Sequence, residues 1–135
     1  MDNIGEQTSK GEGLIYPELS YKLIGIAFTV FNELGYGHLE KIYQKAYAKE
    51  LSNEKLNYEE QVPYPVKYKE EIIGRNYLDF LVEEKIIIEL KKSDFFSKKN
   101  IDQVVNYLKV SGMKLALLIN FSKDGVKYKR LVNIK

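Results

Sequence analysis

Cysteine is absent from the 135 residues, so the chain has neither a disulfide framework nor a thiolate metal site. A single histidine, His38, excludes the histidine-rich zinc centres. Any metal must then be bound by oxygen, which selects Mg²⁺, Mn²⁺ or Ca²⁺. No apolar run approaches the ~20 residues of a membrane span, and the N-terminus lacks the basic-then-apolar layout of a signal peptide. A cytoplasmic location is therefore expected. Net charge is only +2, far from the basic excess of a nucleic-acid coat, so an electrostatic partner has to be argued from local clusters.

What is present is one unusual strand pair. The β-branched run Ile86-Ile87-Ile88 is short and flanked by charge, which predicts a buried strand continuing through Glu89, Leu90 and Lys91. Alternation puts Glu89 and Lys91 on one face and Leu90 on the other. Charges on so apolar a strand are costly unless they are paired or bind a metal. The preceding strand, about Ile72 to Val82, carries Asp79. A hairpin turning symmetrically about Glu84 sets Asp79 opposite Glu89, with Cβ atoms roughly 5 Å apart, and a divalent cation is the usual remedy for two carboxylates so close. A two-residue turn at Glu83-Glu84 would instead pair Asp79 with Ile88 and separate the acids. The metal-site reading thus predicts a three-residue turn or a bulge.

Along the rest of the chain, residues 1–13 are polar, rich in glycine and aperiodic, and are expected to be a disordered tail, leaving 14–135 as a single domain. Pro17 opens a helix to Leu34 whose Leu23, Ala27 and Phe31 fall at helical spacing. Gly35-Tyr36-Gly37 breaks it, and a second helix runs from His38 or Leu39 to about Asn53. Glu40 reads either as a first-turn acid complementing the helix dipole or as a functional acid. His38 reads as a surface or cap residue. Leu56 to Tyr68 alternates as a strand that Pro63 and Pro65 confine to an edge, and Gly74 marks a bulge or close approach in the next. After Lys91, the segment holding Lys92, Phe95, Phe96, Lys98 and Lys99 reads either as a nucleic-acid-binding loop or as a solvated loop with core-capping phenylalanines. Ser97 or Asn100 caps a third helix closed by Gly112. Gln103 and Tyr107 sit one turn apart beside its core face. The apolar strand from Leu115 to Phe121 follows by a right-handed crossover, in parallel with the Ile86 strand. A final strand to Ile134 carries Lys127, Lys129 and Arg130, read as solvated.

The ordered set Gly37-x-x-Glu40-x-x-Tyr43, Asp79, Glu89-Leu90-Lys91 and Gln103-x-x-x-Tyr107 resembles the GxxExxY family, a small-protein branch of the PD-(D/E)xK nuclease superfamily. The likeness covers about residues 16–133, with Leu78 standing where the superfamily name has proline. It implies an α/β fold of mixed sheet: a restriction-endonuclease-like core of two N-terminal helices, an antiparallel three-stranded meander, a crossover helix, a parallel strand and a final strand. It implies that Asp79, Glu89 and Glu40, with the Leu90 backbone carbonyl, bind Mg²⁺ or Mn²⁺. Lys91 would stabilise charge growing on the scissile phosphate, and Gln103 and Tyr107 would position the lysine or the phosphate.

Three functions follow as expectations. The first is a metal-dependent phosphodiesterase, a nuclease acting on nucleic acid and on DNA rather than RNA. The second is a catalytically silent nuclease-fold module that binds nucleic acid or a protein partner. The third is a structural subunit that supplies its fold to a larger assembly and docks through the edge strand near Tyr58 to Tyr68; a homodimer or another protein partner is left open.

Overall fold

In a computed structural model of the chain, which describes residues 3–7 and 13–134, Pro17 opens helix α1 (Pro17–Leu34), where its missing N–H costs nothing. Gly35 and Gly37 both have positive φ, 73° and 105°, and turn the chain sharply into α2 (Glu40–Asn53). The strands β2 (Tyr58–Tyr68), β3 (Glu71–Val82) and β4 (Ile86–Lys92) follow as an antiparallel meander. Helix α3 (Lys98–Ser111) begins at Ser97, whose side chain accepts the Asn100 N–H, and ends at Gly112 in the left-handed conformation. It carries the chain over to β5 (Leu115–Ser122), which pairs parallel with β4, and then to the antiparallel β6 (Gly125–Ile134). The fold is mixed α/β, as expected.

The N-terminus departs from expectation. Asn3–Glu6 form a strand, β1, antiparallel to β6, so the described sheet has six strands in the order β1-β6-β5-β4-β3-β2. A free β6 edge offers a row of unpaired N–H and C=O groups, and pairing satisfies them whatever the polarity of the added strand. Residues 1–2 and 8–12 of the expected tail lie outside the described residues. At the other edge β2 carries both prolines, where no further ladder bond is demanded. The expected bulge occurs beside Gly74: Val66 faces Gly74 while Lys67 faces Ile72, leaving Ile73 unpaired.

The sheet is covered on both faces. On one, α1 and α2 pack over Ile86, Ile88 and Leu90 of β4 and Leu117 and Phe121 of β5. On the other, α3 packs Val104 and Leu108 over Ile87, Ala116 and Leu118. Burial on both faces is why β5 is apolar from Leu115 to Ile119 instead of alternating. Two fully buried tyrosines fix α2. Tyr43 stacks on Phe121 at 4.3 Å and donates its hydroxyl to Gly35 O, while Tyr47 donates to Leu23 O of α1 at 2.7 Å. The rigidity of α2 matters because it carries Glu40 and Gln44. No helix among the described residues is long and apolar enough to cross a membrane.

Candidate active site

The hairpin register decides whether the two acids meet. Phe80 lies opposite Ile88, Leu81 opposite Ile87 and Val82 opposite Ile86, so Glu83-Glu84-Lys85 form a three-residue turn, with positive φ at both glutamates. The same register continued puts Asp79 opposite Glu89. Beyond Phe80 and Ile88, however, the backbone ladder gives way to side chains. The Asp79 N–H donates to Glu89 Oε1 at 3.0 Å, and the Leu90 N–H donates to Asp79 Oδ2 at 2.7 Å. The strands therefore part into a fork whose freed amides are satisfied by the carboxylates. Within a strand the N–H and C=O of one residue point to the same side, so the Leu90 carbonyl faces the fork as well.

Both acids are buried, Asp79 8% and Glu89 3% exposed. Burial pushes the Glu89 carboxyl up to about 8, and the neighbouring Asp79 adds to the rise. Asp79 is raised too, chiefly by burial and slightly by Glu40, against the lowering effects of the Leu90 amide and Lys91. Metal-free, the pair retains a proton at neutral pH, because two adjacent buried carboxylates cannot both ionise cheaply. Lys91, on the same face as Glu89, brings Nζ to 3.8 Å from Glu89 Oε2.

From the opposite face α2 reaches the same fork. Glu40 Oε2 accepts the Lys92 N–H at 3.0 Å, tying the helix start to the end of β4. One turn later Gln44 Nε2 donates to Asp79 Oδ1 at 3.0 Å. Sequence reasoning missed Gln44: its position four residues after Glu40 aims it at the fork only because contacts distant in the chain anchor the helix. The spacing of Gly37, Glu40 and Tyr43 now has a physical meaning. Gly37 makes the turn, Tyr43 pins the helix to the sheet, and Glu40, three residues earlier on the same face, is aimed at β4.

Among the described residues no three acidic or histidine side chains gather into a ready-made cation cluster. Glu40 acts on Asp79 through its charge but is engaged by a backbone amide. The Asp79–Glu89 pair nevertheless fits a hard divalent ion, since Mg²⁺ is commonly held by one or two carboxylates, with water and phosphate completing its shell.

Beside the fork a polar groove of about 440 Å³ is lined by Lys91, Asn76, Ser93, Phe95, Lys99 and Gln103. Its loop wall is held in place: Asn120 Nδ2 donates to Phe95 O, and Asp94 Oδ1 accepts the Lys123 N–H. Of the residues expected to touch nucleic acid, Phe95, 80% exposed, and Lys99 face this groove. The others do not join them. Lys92 sits over the Tyr36 ring, Phe96 packs into the α3 side of the core beneath Lys129, and Lys98 pairs with Asp102 at 2.7 Å. Gln103 joins Lys91, but Tyr107 packs against Tyr64, with ring centroids 5.8 Å apart, outside the groove lining. His38 is structural, its Nε2 2.9 Å from Leu34 O.

A strand fork carrying paired acids and a lysine, between helices on both faces of a mixed sheet, defines a nuclease-like α/β protein. The model of the PD-(D/E)XK nuclease superfamily matches residues 17–131, and the chain belongs to that superfamily. Its nucleases typically use divalent metals. The fold is similar to the crystal structure of SSO0001, with a TM-score of 0.50 and 17% sequence identity, over 85% of this chain and 59% of that one. This chain thus spans less than two thirds of that protein. No curated protein matches the sequence.

Proposed function

We propose that the protein is a divalent-metal-dependent nuclease acting on DNA in the cytoplasm, of the GxxExxY branch of its superfamily. The observation that carries this reading is the buried Asp79–Glu89 pair at the open end of the β3–β4 fork, with Lys91 beside it. Asp79 and Glu89, with the Leu90 carbonyl, would hold Mg²⁺ or Mn²⁺, and Glu40 adds negative charge next to Asp79. When bound, such an ion acidifies water and polarises a phosphoryl oxygen.

The chain's own residues do the rest. Lys91 presents its ammonium at the mouth of the groove, where it offsets charge developing on a phosphate. Gln103 and Lys99 line the same groove and orient the phosphate backbone, while exposed Phe95 offers a face for a base. Gln44 and the Leu90 amide fix the orientation of the Asp79 carboxylate. Tyr107 contributes by bracing α3 against β2 through Tyr64.

The test is cleavage of labelled linear and circular DNA, single and double stranded, with Mn²⁺ or Mg²⁺, comparing wild type with Lys91→Ala. Metal-dependent cutting lost in the variant supports the proposal, and cutting of circular substrate identifies internal attack. Absence of cutting by the wild type, together with absence of cation binding, overturns it in favour of a silent binding module.

A further inference from the structure

Arg130 belongs to the run Lys127, Lys129, Arg130 that patterning assigns to solvent, yet it is 3% exposed. Among the described residues its partners are all neutral: Nη1 donates to Ser20 Oγ, and Nη2 to Gln7 Oε1 at 3.0 Å and Ile15 O at 2.7 Å. Among the described residues its buried Nε has no partner. Burial pushes the guanidinium below its ordinary range, and the group that acts against this is Tyr128, not a carboxylate. Burying a cation without an opposing charge is costly, and the rest of the described chain leaves that cost standing.

The same guanidinium borders a cavity of about 460 Å³ between α1 and β6, walled by Leu14, Ile24, Phe28 and Tyr128, with Tyr21 at its mouth. Pro17 and Ser20, at the positive end of α1, border it too, and the N-cap Tyr16 offers that end no side-chain acceptor. Gly25 lies in mid-helix on the cavity wall, where glycine costs about 1 kcal/mol relative to alanine. No close packing demands it, because a Cβ at that position would meet nothing within 4 Å. A Cβ there would stand in open space beside the cavity.

We propose that this cavity binds a small carboxylate carrying an apolar body. The guanidinium carries a positive charge that no described carboxylate balances and keeps one Nη1 N–H beyond its bond to Ser20, the helix start adds a second positive pole, and the walls accept a hydrocarbon or aromatic tail. The volume falls within the range of small-molecule sites. The site is separate from the fork: it lies on the α1 face, and β5 stands between β6 and β4.

The experiment uses the full chain, with octanoate, its uncharged counterpart octanamide, and inorganic phosphate as probes, read by calorimetry and thermal shift. Octanoate should bind and raise Tm in a dose-dependent way, with octanamide and phosphate each at least tenfold weaker. Gly25→Leu should fold with Tm at or above wild type and lose octanoate binding, which keeps the test independent of Arg130→Gln, a variant that can lose the fold. Failure of octanoate to bind at millimolar concentration, equal binding of octanamide or phosphate, or unchanged binding in folded Gly25→Leu would each overturn the proposal.

Discussion

Metal-free protein should lose stability as pH rises through neutrality, and Glu89 should be the cause. Its carboxyl, 3% exposed, is raised by burial and by Asp79 from the ordinary glutamate value to about 8. A carboxyl raised on folding favours the folded state while it is protonated. That contribution is fully present below the unfolded value near 4.5 and is lost as pH climbs to about 8. Each pH unit between the two values is worth ~1.4 kcal/mol, so the loss has an upper bound on the order of 5 kcal/mol, with Asp79 and Glu89 titrating as a pair. Glu89→Gln keeps an oxygen to accept the Asp79 N–H but cannot ionise. Urea unfolding in chelator between pH 5 and about 9 should therefore slope downward for wild type and lie much flatter for the variant, crossing above wild type at the alkaline end. Added Mn²⁺ should restore wild type most at high pH, where the pair is ionised, and should leave the variant little changed. Equal wild-type stability at both ends of the range, or the same slope in both proteins, would refute a buried, mutually repelling pair.

Three further outcomes follow from other contacts. Gln44→Leu removes the donor to Asp79 Oδ1 and should weaken Mn²⁺ binding roughly tenfold by calorimetry; undiminished affinity would mean that Gln44 does not orient the acid. Tyr47→Phe removes the second donor to the Leu23 carbonyl, which its own helix also engages, and should cost about 1 kcal/mol in urea unfolding without altering the fork, so a neutral result would contradict the contact joining α1 to α2. Ser97→Ala removes the α3 cap and should cost about 1 kcal/mol, accompanied by faster amide exchange at Asn100.

Much of the fork was legible in residue order because its logic is local. Charge on the strand of Ile86 to Ile88 demands an explanation, and the alternation of Glu89 and Lys91 needs only the strand period. The metal reading asks for a three-residue turn or a bulge, and a three-residue turn forms. Helix boundaries at Pro17, Ser97 and Gly112 were equally local, since caps and φ restrictions act within a few residues. Gln44 and the real placement of Tyr107 were not legible. A side chain one helical turn from a suspected acid points to a site only when the helix is pinned, and the pins, Tyr43 on Phe121 and Tyr47 on Leu23, join residues far apart in the chain. For Lys92 and Phe96 composition left a binding loop and a solvated loop with core-capping phenylalanines equally open, because composition carries no direction; in the fold Lys92 sits over Tyr36 and Phe96 packs against the core.

The amino-acid order by itself determined which segments from Pro17 onward become helix or strand, that the Asp79–Glu89 register is a matter of turn length, and that any bound metal meets oxygen donors. Those properties depend on period, capping and functional-group chemistry, which neighbours in sequence suffice to specify. Tertiary structure alone decided that Asn3–Glu6 joins the sheet, that Glu40 reaches the Lys92 amide across the fold, and that Arg130 turns inward beside a cavity. Each of these is a pairing across the fold: an edge strand, an amide or a guanidinium takes whatever partner the packed chain brings within hydrogen-bonding distance.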